Sequence, residues 1–495
     1  MKPLHRLILL AGACLSLCSA AQAQTATSQT ADTANKTAAK AVTKKAAAKA
    51  ASNSQPPASS APSAREAELM QRLDKLATEV EQLKGQVAEL KQQQAQQAAA
   101  ATSAPVAAAP VAVPAAAPTT ATANASQAVN GAENQPAATP SEPATVLTGY
   151  GEINYNRYNK DSSRDQADMR RFVLGLQHRF DAKTKMVGEL EVEHAVSSSS
   201  DVGEVEVEQA YVERQLNNQL ALRAGLFLMP AGLLNENHEP TAYYGVERNF
   251  VETAIIPSTW REGGLQMVAS FDNGLTLQTG LSTGFDVSKW ATDDAETATS
   301  PLGSVHQELQ QAHAKDPAVF AALNWRGVPG LQLGGSWFSG NGGQGQASAF
   351  GGKLRVTLWD LHARYTLGAL DLSTVYARGT ISGTADFNTH NLGSGPDWFP
   401  IPKSFDGAYV QAAYKVWSWD DLSLSPFVRA ERYNTRKSFA DIGQGLTADA
   451  APTEQAYTLG ANLNVGQGLV LKADVQRFKQ NKDNNRLDLG LGWSF

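Results

Sequence analysis

A chain of 495 residues with 42 Lys and Arg, 48 Asp and Glu and a formal charge of −6 lacks the basic excess of a nucleic-acid binder. Beyond the first segment no uninterrupted apolar run approaches the ~18 residues of a spanning helix, which excludes a helical membrane protein. Both cysteines, Cys14 and Cys18, fall in the first two dozen residues.

Residues 1–23 read as a signal peptide. Lys2, His5 and Arg6 are followed by the apolar run Leu7 to Leu17 and the small-x-small site Ala21-Gln22-Ala23, so the mature chain starts at Gln24. Leu17 sits where a lipoprotein site before Cys18 needs a small residue, and Cys14 lacks a Leu three positions earlier. The mature chain is then cysteine-free, with no disulfide or thiolate chemistry. Residues 24–63 are low-complexity, rich in Ala, Thr and Ser, and basic through Lys36, Lys40, Lys44, Lys45 and Lys49. They read as a solvated tether, with attachment to the acidic cell wall as the sharper alternative.

Residues 64–97 are different. Leu69, Leu73, Leu76, Val80, Leu83, Val87 and Leu90 alternate spacings of four and three, the seam of a coiled coil. With no apolar partner nearby, the seam is buried by self-association or by lying on the body of its own chain. Val at two a positions with Leu at d leans towards two strands, and the barrel that follows leans towards three. Residues 98–144, with Pro105, Pro110, Pro114, Pro118, Pro136, Pro140 and Pro143, form an extended, semi-stiff spacer.

From 145 to 495 the pattern has period two. Phe172, Leu174, Leu176, His178 and Phe180 alternate with Arg171 and Arg179, Leu459 and Leu463 recur in a later segment, and Leu487, Leu489, Leu491 and Trp493 form the last row. Roughly 16 such segments begin near residues 146, 169, 184, 204, 219, 263, 274, 318, 330, 353, 371, 406, 422, 455, 468 and 486. Short turns alternate with long polar loops, and an even strand number puts both ends on one side. The fold class is therefore all-β: a 16-stranded antiparallel transmembrane barrel. A sandwich would have to stack several times to bury so many apolar rows. Tyr150, Tyr155, Tyr158, Trp325, Trp337, Trp417, Trp419 and Trp493 near strand ends suit interfacial girdles.

With the apolar rows towards lipid, the other rows face the lumen. The basic set is Arg171, Arg179, Arg223, Arg326, Lys353, Arg355, Lys415, Arg429 and Lys472; the acidic set is Glu152, Glu189, Glu191, Glu193, Glu206 and Glu208. Acids crowd onto the third and fourth strands. Either the two signs make a transverse field across the bore, or they pair between neighbouring strands and solvate a wide channel.

The stretch 229–262 follows the fifth strand and is too long for an idle loop. Leu233, Leu234, Phe250, Val251, Ile255 and Ile256 anchor it, so it reads as folded into the bore, a constriction carrying Asn235, Glu236, His238, Glu239, Tyr243, Glu247, Arg248, Arg261 and Glu262.

The run MPAGLLNENHEPTAYYGVERNFVETAIIPSTWREGG, the opening Gly149-Tyr150-Gly151-Glu152 and the segment Glu208-Gln209-Ala210-Tyr211 resemble the phosphate-selective porin O/P family. The resemblance covers most of 145–495. It implies a trimeric 16-stranded outer-membrane channel whose third loop folds inward; some relatives carry a periplasmic coiled coil. Phosphate selectivity in that family rests on Arg ladders and Lys clusters, whereas acids outnumber bases over 145–495 here. General diffusion of small hydrophilic solutes and uptake of anions such as phosphate both stand as expectations.

No cofactor, catalytic residue or metal site is expected. His238 between Glu236 and Glu239 lacks metal-ligand spacing on a helix, and neither His238 nor His362 has an evident Ser partner. The expected partners are outer-membrane lipid, further copies of the chain in a homotrimer, small solutes and the cell wall through the basic tail. The N-terminal region is expected in the periplasm.

Overall fold

A computed structural model describes residues 144–495 except 199, 347–352, 394–396, 444 and 446. The expected signal peptide, basic segment, coiled-coil seam and spacer lie outside the described residues.

Alternation of branched and aromatic residues with polar ones builds the strands, and turns with Gly, Asn or Asp end them. Their order is β1 (Thr145–Tyr158), β2 (Gln166–Asp181), β3 (Thr184–Glu193), β4 (Val205–Gln215), β5 (Leu220–Leu228) and β6 (Arg261–Ser270). Then come β7 (Leu275–Ser282), β8 (Ala318–Val328), β9 (Leu331–Asn341), β10 (Arg355–Leu367), β11 (Leu370–Ser382) and β12 (Ser404–Tyr414). The last five are β13 (Trp417–Trp419), β14 (Leu422–Ser438), β15 (Glu454–Val465), β16 (Leu469–Phe478) and β17 (Arg486–Ser494). Neighbours pair antiparallel throughout, and β17 returns to β1. The short β13 shares one lane with β12, since both pair with β14, so the wall is a closed 16-stranded antiparallel barrel. Gly149 and Phe495 exchange backbone hydrogen bonds of 3.0 and 2.9 Å, which brings the start of β1 and the last residue after β17 to the end with the short turns.

The outward rows are apolar and exposed, as at Leu174, Leu190, Leu222, Leu361, Val410 and Leu459, while Arg171, Glu191, Arg223, Asp360 and Thr458 are buried on the inward rows. An outward band of this kind suits hydrocarbon. The inner face is not polar throughout. Phe320, Phe338, Val356, Leu358, Val375, Ile381 and Phe405 point inward from β8 to β12. There they meet Val251, Ile255, Ile256 and Trp260 of loop 229–260, Phe285, Leu302 and Val305 of loop 283–317, and Phe387 and Ile401 of loop 383–403. The hydrophobic core of this protein therefore sits inside the barrel.

That inner core corrects the expected register of β10. Val356 and Leu358 are buried against the loops and set the inward row, which continues through Asp360 and His362. Arg355 consequently falls on the outward row with Leu361, and Lys353 precedes the strand in an exposed loop position. Neither lines the bore. Tyr150 is likewise not a girdle residue: it is 4% exposed and points inward to Glu208 and His238.

Candidate functional site

Loop 229–260 is folded in its own right. Its neck is tied by Asn235, whose Nδ2 donates to the carbonyls of Met229 (2.7 Å) and Trp260 (2.8 Å) and whose Oδ1 accepts from Trp260 N–H (2.7 Å). At its centre Glu252 accepts from the N–H groups of Leu233 (2.5 Å) and Leu234 (2.7 Å), from Asn249 Nδ2 (2.8 Å) and from the Tyr409 hydroxyl on β12 (3.1 Å). Arg248 donates to Ser258 Oγ, Thr259 Oγ1 and the His238 carbonyl. This clamp holds Thr259 at φ 51°, a conformation that costs a β-branched residue energy and persists only when its surroundings impose it.

The loop then crosses the bore and is laced to walls on several sides. Tyr243 donates to Glu152 of β1 (2.8 Å), and Val246 N–H donates to Asp474 of β16 (2.7 Å). Phe250 N–H donates to Glu431 of β14 (2.7 Å), and Gln278 of β7 donates to Glu236 (2.8 Å). Glycines on β17 make room for it. A Cβ on Gly492 would meet Pro240 at 2.6 Å, and one on Gly490 would meet Val246 at 3.1 Å.

Two strand irregularities aim charged residues at the loop. On β2 the pairing with β1 skips Arg170, which reaches Glu247 at 3.1 Å beside its inward neighbour Arg171. On β4 the pairing with β3 skips Glu208, which lies 2.7 Å from His238 Nε2. A bulge puts two consecutive side chains on one face, so strict alternation misses one of each pair. Arg170 was missed for this reason.

Glu247 and His238 thus tie the loop to opposite charges. Burial raises the Glu247 carboxyl, but Arg170 and Arg486 outweigh it and bring it down to about 2. Burial likewise lowers His238, and the charge and hydrogen bond of Glu208 reverse the sign, leaving the imidazole above its ordinary value. Glu189 supports the protonated form and Arg248 opposes it, with Tyr150 and Glu239 alongside. A raised histidine pKa gives stability that is complete below the unfolded value of ~6.5 and disappears as pH rises through the folded value. The loop should therefore loosen, and single-channel current noise increase, as pH rises above the ordinary histidine value of ~6.5. His238→Gln should lose that dependence; a variant with the full alkaline transition would refute the assignment.

The remaining expected residues fall as follows. Arg261 and Glu262 belong to β6 rather than to the loop, because Trp260 closes the neck just before them. Arg261 bridges Glu206 (2.5 Å) and Glu308 (2.7 Å), and Glu262 is fully buried, accepting from Gly284 N–H (2.9 Å) and Trp260 Nε1 (3.1 Å). Both fasten loop 283–317 to the wall. Glu239 is half-buried near His238.

On the wall, Arg171 pairs with Glu152 (2.9 Å) and Glu191 (3.2 Å), Arg223 with Glu213 (2.7 Å), and Arg429 with Glu431 (2.8 Å). Arg364–Asp371 and Arg486–Asp488, absent from the expected lumen set, add contacts of 2.6 and 2.9 Å. Lys472 stands 3.5 Å from the Tyr243 ring centroid. Arg179 and Arg326 lie on inward rows near the short turns, where Arg326 donates to Gln332, and Lys415 is exposed just after β12. Pairing between neighbouring strands, one of the two expected arrangements, is thus realised at several of these sites.

His362 places Nδ1 2.6 Å from Asp360 and Nε2 2.8 Å from Asn324, and Ser336 donates to Asp360 instead of to the imidazole. That is a satisfied polar cluster without an activated hydroxyl. Among the described residues no group of three or more His, Cys, Asp or Glu is arranged to hold a metal ion.

No family model matches the chain. An uncharacterized protein of Aquifex aeolicus (strain VF5) is 26% identical over 366 residues, 70% of this chain and 79% of the relative. Among solved structures, OmpF of Salmonella typhi in complex with daunomycin superposes with a TM-score of 0.49 at 14% identity, covering 71% of this chain and 97% of that one. The anion-selective porin of Comamonas acidovorans gives 0.44 at 14% identity over 71% and 99%. The outer membrane channel DcaP of Acinetobacter baumannii gives 0.44 at 14% identity over 71% and 97%.

Proposed function

We propose that this protein is an outer-membrane porin, a passive channel for small hydrophilic solutes that performs no chemistry. A single observation carries the reading: a closed barrel with an apolar exterior holds a folded, charge-bearing loop across its bore. That combination fits lipid outside and a constricted aqueous path inside. In this reading loop 229–260 is the constriction, the barrel assembles as a homotrimer, and the N-terminal coiled coil lies in the periplasm.

Phosphate or other anions are the finer version of this function. An anion-selective wall needs cationic groups free to meet the solute. Arg171, Arg223, Arg364, Arg429 and Arg486 instead donate to carboxylates, which supports general diffusion over anion selection. Planar-bilayer reversal potentials across a KCl gradient should therefore show weak ion preference. A strong shift towards the chloride potential would favour the anion version, and a channel without conductance would end the porin reading. Envelope attachment through the basic segment is compatible with transport and is read by deleting residues 24–63.

A further inference from the structure

Four consecutive strands of the wall, β15, β16, β17 and β1, carry a continuous polar strip. Register sets Thr458 opposite Gln476 and Gln476 opposite Arg486. One step towards the short turns Asp474 faces Asp488 and Asp488 faces Asn156; a further step sets Asn462 against Lys472 and Gly490 against Asn154.

Segment 243–250 covers this strip. Val246 N–H donates to Asp474 Oδ2 (2.7 Å), Asn462 Nδ2 to the Tyr243 carbonyl (3.1 Å) and Asn156 Nδ2 to Glu247 (3.1 Å). Val246 fills the notch that Gly490 leaves.

Six polar atoms under the segment make no close hydrogen bond in the protein: Asn154 Nδ2, Thr458 Oγ1, Lys472 Nζ, Asp474 Oδ1, and Gln476 Nε2 and Oε1; Asp474 and Gln476 still interact with each other, and Lys472 Nζ rests against the Tyr243 ring. Their residues are 0–4% exposed. Buried polar groups are nearly always paired, so such a concentration marks a place built for another occupant. The set is mixed: three nitrogen donors, two acceptors and one hydroxyl that can do either. Its charges offset, Lys472 against Asp474, and Asp488 is held by Arg486 at 2.9 Å. A small ion would leave half of these groups unmet. A molecule bearing several hydroxyls, each both donor and acceptor, matches neighbouring members of the set in turn as it moves along the strip.

We propose that this strip is a binding station for small, uncharged, hydroxyl-rich solutes such as polyols and monosaccharides, entered when segment 243–250 lifts from the wall. The proposal rests on the channel reading and names its solute class.

The test uses the full-length oligomer, with D-arabinose as probe. KCl current through the wild-type channel should fall saturably as arabinose is added. Osmotic swelling of proteoliposomes gives arabinose permeability. Its ratio to KCl conductance should drop about fivefold for each hydrogen bond removed in the Gln476→Leu, Thr458→Val variant. Gln332→Leu on β9 should keep the wild-type ratio. A fall that merely tracks viscosity, or an unchanged ratio in the double variant, overturns the station. A protein that conducts no ions overturns the channel reading instead. If the double variant does not fold, saturation in the wild type decides.

Discussion

Glu252→Ala should release loop 229–260 and raise single-channel conductance. Its side chain accepts from two consecutive backbone N–H groups, an amide and a tyrosine hydroxyl, joining the descending limb of the loop, its π-helical turn Val251–Ile255 and the β12 wall. At about 1 kcal/mol net per hydrogen bond, and more where a buried N–H is left unpaired, the loss is about 3–5 kcal/mol. The wall ladders do not pass through Glu252, so the barrel should persist with a slack loop. Trypsin provides a second readout, because Arg248 is 7% exposed in the folded loop and becomes a cleavage site once the loop opens. Glu252→Gln keeps one acceptor and should fall between. If Glu252→Ala conducts as the wild type does while trypsin cuts at Arg248, the loop is not the constriction.

Trp260→Ala should cost as much stability as Glu252→Ala, by a different route. The indole is 1% exposed, stacks on Phe285 at 5.2 Å, meets Phe338 edge-on at 4.9 Å and donates to Glu262. It thereby joins loop 229–260, loop 283–317 and β9. Truncating a buried aromatic of this size costs about 3–5 kcal/mol through lost contacts and the cavity left behind. Urea unfolding of the detergent-solubilised protein should show that loss, and Trp260→Phe should recover much of it. A loss below about 1 kcal/mol would mean that the inner core collapses around the gap.

These two positions mark a difference in what a linear reading can see. Strand alternation was legible because one face of each strand meets a single environment, lipid, along its whole length. Leu174, Leu222 and Leu459 could be placed outward from spacing alone. The inward rows meet different environments along the bore, and their identity follows no period. Val356 and Leu358 face inward because loops 229–260, 283–317 and 383–403 bring an apolar core to them, which turns Arg355 outward.

For loop 229–260, the sequence by itself determined that it is long, anchored and placed between β5 and β6. Its contacts were decided in three dimensions. Asp474 lies more than 200 residues from Val246, and Glu431 is nearly as far from Phe250; only closure of the barrel brings them within hydrogen-bond reach. The bulges that expose Arg170 and Glu208 to the loop depend on the pairing of two strands, and neither strand's composition records them. The sequence therefore determined the barrel, its strand number and the existence of an inward loop, all of which follow from local periodicity and loop length. Tertiary structure alone decided which charges the loop meets, that an apolar core lies within the bore, and that β15–β1 present polar atoms without a close hydrogen bond to segment 243–250. Each of these depends on groups distant in sequence sharing one enclosed volume, where an unmatched charge or hydrogen bond is costly.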